Sequence, residues 1–233
     1  MPSKPFRFAS VVLVSALLAL TGCSSTATST NAGSTARPAD PVQSAKTVKK
    51  VERFNEVAKR ARATRTGEVY LLRGLMDIFS RGMDVMGAKL NRAGVYAMVD
   101  SYTNWQEIAN VIVKRSRQGD LSYPIVIMGH SLGGNDAPKM ATYLGQRGIK
   151  VAYVVTFDPT ESPYVGKNIS RVINFYLPHD KNNRIRKGSG FNGTLKNISM
   201  AGHEEITHTT IEKNVKLQNE VIGRIMSMTK KKR

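Results

Sequence analysis

The chain reads as an α/β protein, a mostly parallel, doubly wound sheet with helices on both faces. Three features point there. From Gly67 onward, short apolar runs alternate with helix-like segments of 13 to 19 residues, the pattern of crossover units in a parallel sheet. The runs Ile125–Met128 and Val151–Val155 are continuously apolar, as strands buried on both faces must be. No internal repeat at a solenoid period interrupts this order.

The elements follow in sequence. Val69–Leu72 is a short apolar strand, and Asp77–Arg92 is a helix with Ile78, Met83, Met86 and Leu90 on one face. Val95–Val99 is a strand, and Trp105–Arg117 a helix carrying Ile108, Val111 and Ile112. Tyr123–Met128 is a strand, Leu132–Arg147 a helix and Val151–Phe157 a strand. Pro138 falls inside that helix and should distort its second turn. Arg171–Leu177 and Leu195–Met200 are two more strands. A last helix, Thr210–Met228, carries Ile211, Val215, Ile222 and Ile225, with Thr209 and Glu212 as its capping box.

Composition narrows the function class. Of 233 residues 41% are hydrophobic, which excludes a disordered or collagen-like chain, and the single cysteine, Cys23, excludes a disulfide scaffold. Thirty-five Lys and Arg against 17 Asp and Glu give a net charge of +18, which favours anionic partners. Between Lys46 and Arg65 stand eight basic and two acidic residues at near-helical apolar spacing. They form a surface helix packed on the domain, or a basic amphipathic helix on anionic lipid or envelope polymer. No nucleic-acid-binding motif is present.

The N-terminus reads as an address. Lys4 and Arg7 precede an apolar run, Phe8–Leu20, too short to span a bilayer comfortably. It ends in Leu20-Thr21-Gly22-Cys23, which resembles the lipobox of bacterial lipoproteins. That resemblance implies a signal peptide over residues 1–22, acylation of Cys23 and membrane anchoring. Ser24 follows Cys23, so the resemblance favours the outer membrane of a Gram-negative envelope. Residues 23–47 are rich in Ser, Thr, Ala and Asn and form a tether, leaving residues 48–233 as one domain with a basic N-terminal helix and a basic C-terminal tail.

The chemistry centres on Gly129-His130-Ser131-Leu132-Gly133-Gly134, which joins a buried strand to a helix. A Gly-X-Ser-X-Gly in that setting is a nucleophile elbow. The turn lifts the hydroxyl above the sheet at a helix N-terminus, where free N–H groups favour developing negative charge.

In this setting the motif resembles the α/β-hydrolase superfamily, its lipase, esterase and thioesterase branches. The resemblance covers roughly Glu68 to the C-terminus and implies a Ser–acid–His order along the chain. Ser131 is the nucleophile. The acid is Asp158 or Asp180. Asp158 ends a buried strand in Phe157-Asp158-Pro159, similar to the acid segment of pancreatic-type lipases, and is preferred. Asp180 sits among Lys181, Arg184, Arg186 and Lys187. The base is His203 or His208. His203 adjoins Glu204 and Glu205, whereas His208 precedes the last helix and is preferred. His130 and His179 lie outside the base position. The oxyanion donors implied are the backbone N–H groups of Leu132 and of Leu75, in Arg73-Gly74-Leu75, which resembles the His-Gly-X loop of lipases with Arg73 in place of His.

The implied activity is cleavage of carboxylic esters or thioesters, lipids among them, through an acyl-enzyme. It needs no cofactor, and four scattered His and one Cys give no metal-ligand spacing. The alternative is a non-catalytic envelope lipoprotein that uses the fold and its basic surface to bind anionic lipid or polymer. The stretch His179–Thr194, with four basic residues and several glycines, is expected to be an irregular surface loop.

Overall fold

The computed structural model describes residues 55–75, 80–178 and 182–233. The signal segment, Cys23, the tether, the expected helix start at Asp77, and His179 and Asp180 lie outside the described residues.

Six strands form one parallel sheet in the order β2–β1–β3–β4–β6–β8. They are β1 (Glu68–Arg73), β2 (Tyr96–Ser101), β3 (Ile125–His130), β4 (Val151–Phe157), β6 (Arg171–Tyr176) and β8 (Thr194–Ser199). The chain steps from β1 outward to β2, then returns past β1 to β3 and continues the other way. The switch in direction falls between β1 and β3, whose outgoing loops meet at the carboxyl end of the sheet.

Alternation along the strands sorts the core into two layers. Val69 and Leu71 face α1 (Arg81–Arg92) and α4 (Val215–Met228), through Met83, Met86, Leu90, Val221 and Ile225. Tyr70 and Leu72 face α2 (Trp105–Arg117) and α3 (Leu132–Gln146), through Ile108, Ile112, Met140 and Leu144. Each fully buried aliphatic side chain stabilises the fold by about 1.5–3 kcal/mol. α3 runs unbroken through the buried Pro138. Proline lacks the N–H that would reach back four residues, so the carbonyl of Gly134 goes without its helical donor.

Two expectations need correction. The last helix does not start at Thr210. Ile211–Lys213 form a single tight turn, and α4 begins at Val215 with Asn214 as its cap. The Asn214 carboxamide accepts from the N–H groups of Lys216 and Leu217, so the Thr209–Glu212 capping box does not form. Glu212 is instead fully buried against α1, where a side chain at Gly82 would sit 2.3 Å from the Glu212 carbonyl. The segment expected to be irregular also holds a short strand: β7 (Arg186–Lys187) pairs in parallel with β5 (Tyr164–Val165).

The amino end of the sheet is closed by the segment around residues 55–66 and by the C-terminal tail. Residues 55–62 are helical, and the segment beyond them pairs with the C-terminal tail through an antiparallel Arg65–Lys231 bridge. Thr66 N–H donates to the Lys230 carbonyl and Lys232 N–H to the Thr64 carbonyl. Beside them, Arg115 forks onto the buried Glu68 carboxylate at 2.7 and 2.8 Å. That carboxylate also accepts the Ser122 N–H, so the ion pair is hydrogen-bonded on both sides.

Candidate active site

At the carboxyl end, β3 turns into α3 within one residue. Ser131 has φ 56° and ψ −122°, a left-handed conformation costly for a residue with a Cβ. Two glycines make the turn possible. A Cβ on Gly129 would lie 2.0 Å from the Gly133 carbonyl, and one on Gly133 would lie 2.2 Å from the Leu72 carbonyl. Any side chain at either position would drive α3 off the sheet.

The structure brings Ser131, His208 and Asp158 into one hydrogen-bonded chain. The imidazole Nε2 of His208 is 2.9 Å from Ser131 Oγ, and its Nδ1 is 2.6 Å from Asp158 Oδ2. A carboxylate accepts, so Nδ1 carries the proton and Nε2 is left to accept from the serine hydroxyl. Asp158 is 3% exposed. Its second oxygen accepts from Leu177 N–H and the Asn183 carboxamide, both at 3.0 Å. His203 stands apart, exposed and 3.4 Å from Glu205. Asp180 lies outside the described residues.

The loop after β1 lies against the serine. A Cβ on Gly74 would sit 2.9 Å from Ser131 Cβ, so only glycine lets the loop approach this closely. Leu75 follows at the turn, and Leu132 opens α3 on the other side of Ser131. Arg73, where the resembling loop has His, bonds Asp84 on α1 at 2.8 Å. It ties the end of β1 to that helix.

Four side chains that sequence reasoning did not select hold the site together. Ser80 Oγ accepts Gly74 N–H at 2.8 Å and lies 2.8 Å from Nδ1 of His130, whose Nε2 is 2.7 Å from the His208 carbonyl. A carbonyl only accepts, so Nε2 of His130 carries the proton, Nδ1 accepts, and the Ser80 hydroxyl donates. One directed chain thus runs from the loop after β1 through the residue before Ser131 to the backbone of His208. Burial lowers the His130 pKa to about 4, so the imidazole stays neutral near pH 7. Glu212 faces it, with Oε2 at 3.8 Å from Nε2, and burial raises the pKa of that carboxyl.

Asn135, on α3, accepts from Thr160 and Glu161 N–H and donates to Thr160 Oγ1. It fastens the loop after Asp158 to the elbow helix. Asn183 bonds both Asp158 and the Leu177 carbonyl. No sequence period marks these residues, because their partners lie many residues away. Among the described residues, no group of three or more His, Cys, Asp and Glu is placed to hold a metal ion.

No protein-family model and no curated protein matches this sequence. Solved structures do resemble the chain in fold. The NocB thioesterase domain from the nocardicin cluster is 14% identical, with 72% of this chain and 96% of that one covered at a TM-score of 0.44. The RedJ thioesterase of the Streptomyces coelicolor prodiginine pathway is 8% identical, with 72% and 87% covered and a TM-score of 0.44. A Xanthomonas campestris protein described as a hydrolase of the alpha/beta superfamily is 12% identical, with 70% and 98% covered and a TM-score of 0.40.

Proposed function

We propose that this chain is an envelope-anchored serine hydrolase of carboxylic esters or thioesters. The reading rests on one observation: a serine at a strained strand-to-helix turn shares a hydrogen-bonded chain with an imidazole and a buried carboxylate. A fold that only bound ligands would need none of this geometry.

The steps follow from the directions of those bonds. Ser131 Oγ attacks the acyl carbonyl as Nε2 of His208 takes its proton. The imidazolium is stabilised by Asp158, which also fixes the tautomer. The carbonyl oxygen becomes an oxyanion beside Leu132 N–H and Leu75 N–H; removing one such donor costs about 10²–10³ in rate in comparable enzymes. His208 then protonates the leaving alcohol or thiol. Water, deprotonated by the same imidazole, releases the acid. Acylation of Cys23 would hold the domain on the membrane, with residues 24–47 as tether.

The test is labelling with a fluorophosphonate, read by intact mass and peptide mapping, beside turnover of a soluble activated ester. Wild type should label at Ser131 alone. Ser131→Ala and His208→Ala should both abolish labelling and turnover with melting temperatures near wild type, whereas His203→Ala should be mild. A folded wild type that neither labels nor turns over would sink the reading and favour the binding protein.

A further inference from the structure

The sheet has two ends of unlike charge. In a parallel sheet with crossover helices, every helix runs back, so the helix C-termini and the strand starts share one end. Here that end gathers exposed cations from separate parts of the chain: Arg92 closing α1, Arg117 closing α2, Arg147 and Lys150 between α3 and β4, and the tail from Lys230 to Arg233. The tail is held there by the backbone bonds to Thr64 and Thr66, so its four charges have a fixed place. Among the described residues, the exposed acid in these connections is Asp120, and it is bonded to Arg115. The opposite end, where Ser131 lies, mixes Asp100, Glu107, Glu161, Glu204 and Glu205 with its cations.

A favourable helix dipole accounts for a cation or two at each helix C-terminus. It does not account for Lys150 or for the tail, which lie outside any helix. The cations flank the starts of β2, β1, β3 and β4, a width of about 15 Å at a strand spacing of about 4.8 Å. Such a flat basic end suits an extended anionic surface better than a single phosphate.

We infer that this amino end of the sheet is a docking face for anionic lipid headgroups, so that the domain stands on the bilayer with the Ser131 end of the sheet pointing away from it. The chain itself leads there. The helix of residues 55–62 runs into the Thr64–Lys232 pairing, and 31 residues separate Cys23 from Asn55. A strand of six residues puts Ser131 about 20 Å above the basic end. The choice of lipid over a soluble polyanion rests on the export signal at the N-terminus. The basic face itself depends neither on turnover at Ser131 nor on acylation.

The experiment uses the full chain carrying Cys23→Ser, which removes any acyl anchor. Its binding is measured by co-sedimentation with phosphatidylcholine vesicles holding 0 or 30% phosphatidylglycerol; neutral vesicles report what the apolar N-terminal run contributes. Binding should require phosphatidylglycerol, weaken steeply in 0.5 M NaCl, and fall at least tenfold in Lys230→Glu/Lys231→Glu/Lys232→Glu. The equal charge change at Arg81→Glu/Lys213→Glu/Lys216→Glu, at the other end of the sheet, should cost less than threefold, and circular dichroism melts check that both variants fold. Equal losses in the two variants, or equal binding to neutral vesicles, would overturn the proposal. Binding to polyphosphate in solution without vesicle binding would also overturn it, in favour of a polyanion ligand.

Discussion

Replacing His130 by its two amide look-alikes should separate the two contacts it makes. In His130→Asn the carboxamide oxygen falls near the Nδ1 position and still accepts from Ser80, but nothing donates to the His208 carbonyl at the 2.7 Å contact. That bond contributes about 0.5–1.5 kcal/mol net. Its carbonyl is only partly buried, so water can replace the donor and stability should change little. The base would lose its tether, and kcat should drop about two- to tenfold with KM nearly constant, since 1.4 kcal/mol is tenfold in rate. In His130→Gln the carboxamide nitrogen falls near Nε2 and still holds the His208 carbonyl. The Ser80 hydroxyl, 0% exposed, is then left without an acceptor. This costs about 1–3 kcal/mol in stability, or about 2–4 °C in Tm per kcal/mol for a domain this size. Steady-state kinetics on a soluble activated ester and thermal melts of the same samples give both readouts. If both variants lose Tm equally and keep the wild-type kcat, His130 merely packs, and the directed chain plays no part in placing the base.

Two further outcomes follow from the same site. The His130 imidazole, lowered to about 4 from an ordinary value of 6.5, stays neutral longer than in the unfolded chain. Its contribution is therefore complete above about pH 6.5 and lost as pH falls toward 4, by up to about 3 kcal/mol. Glu212, raised by burial, acts in the opposite sense, with stability present at low pH and lost as pH rises through its raised value. Urea midpoints at pH 7 and pH 4.5 should fall less in His130→Gln than in wild type; an identical fall would refute a neutral buried imidazole. Asn183→Ala removes a 3.0 Å donor from the Asp158 carboxylate, and bonds to charged groups contribute about 1.5–3 kcal/mol. Turnover should drop at least tenfold while the Ser131→Ala baseline stays lower still, and unchanged turnover would show that Leu177 N–H alone fixes the acid.

Strong local periods carried much of the fold. Trp105–Arg117 and Val151–Phe157 have the bounds their patterns predict, because one is a clear amphipathic stripe and the other a run buried at every position but Ala152. The final helix was less legible. Thr209 and Glu212 have capping spacing, but the Glu212 side chain is drawn into the core under α1 and Asn214 takes the cap. Tertiary burial outweighed a local signal. At the site, Ser131 is marked by its glycines and Asp158 by the strand it ends. Ser80, Asn135 and Asn183 carry no such mark. Asn183 sits amid a basic, glycine-containing segment and bonds Asp158 25 residues back, a pairing that no local spacing encodes.

The backbone at Ser131 sets the molecule's chemistry against its endurance. An L-residue held at φ 56° and ψ −122° costs about 1–3 kcal/mol, and a glycine there would recover part of it at the expense of greater freedom in the unfolded chain. On the proposed reading, the residue that would carry the chemistry is thus also the one at which backbone strain is stored. With Ser131 as the nucleophile, a mutant library sorted by thermal survival alone would put no pressure on keeping it, and only a selection that also demands turnover would hold the strained turn.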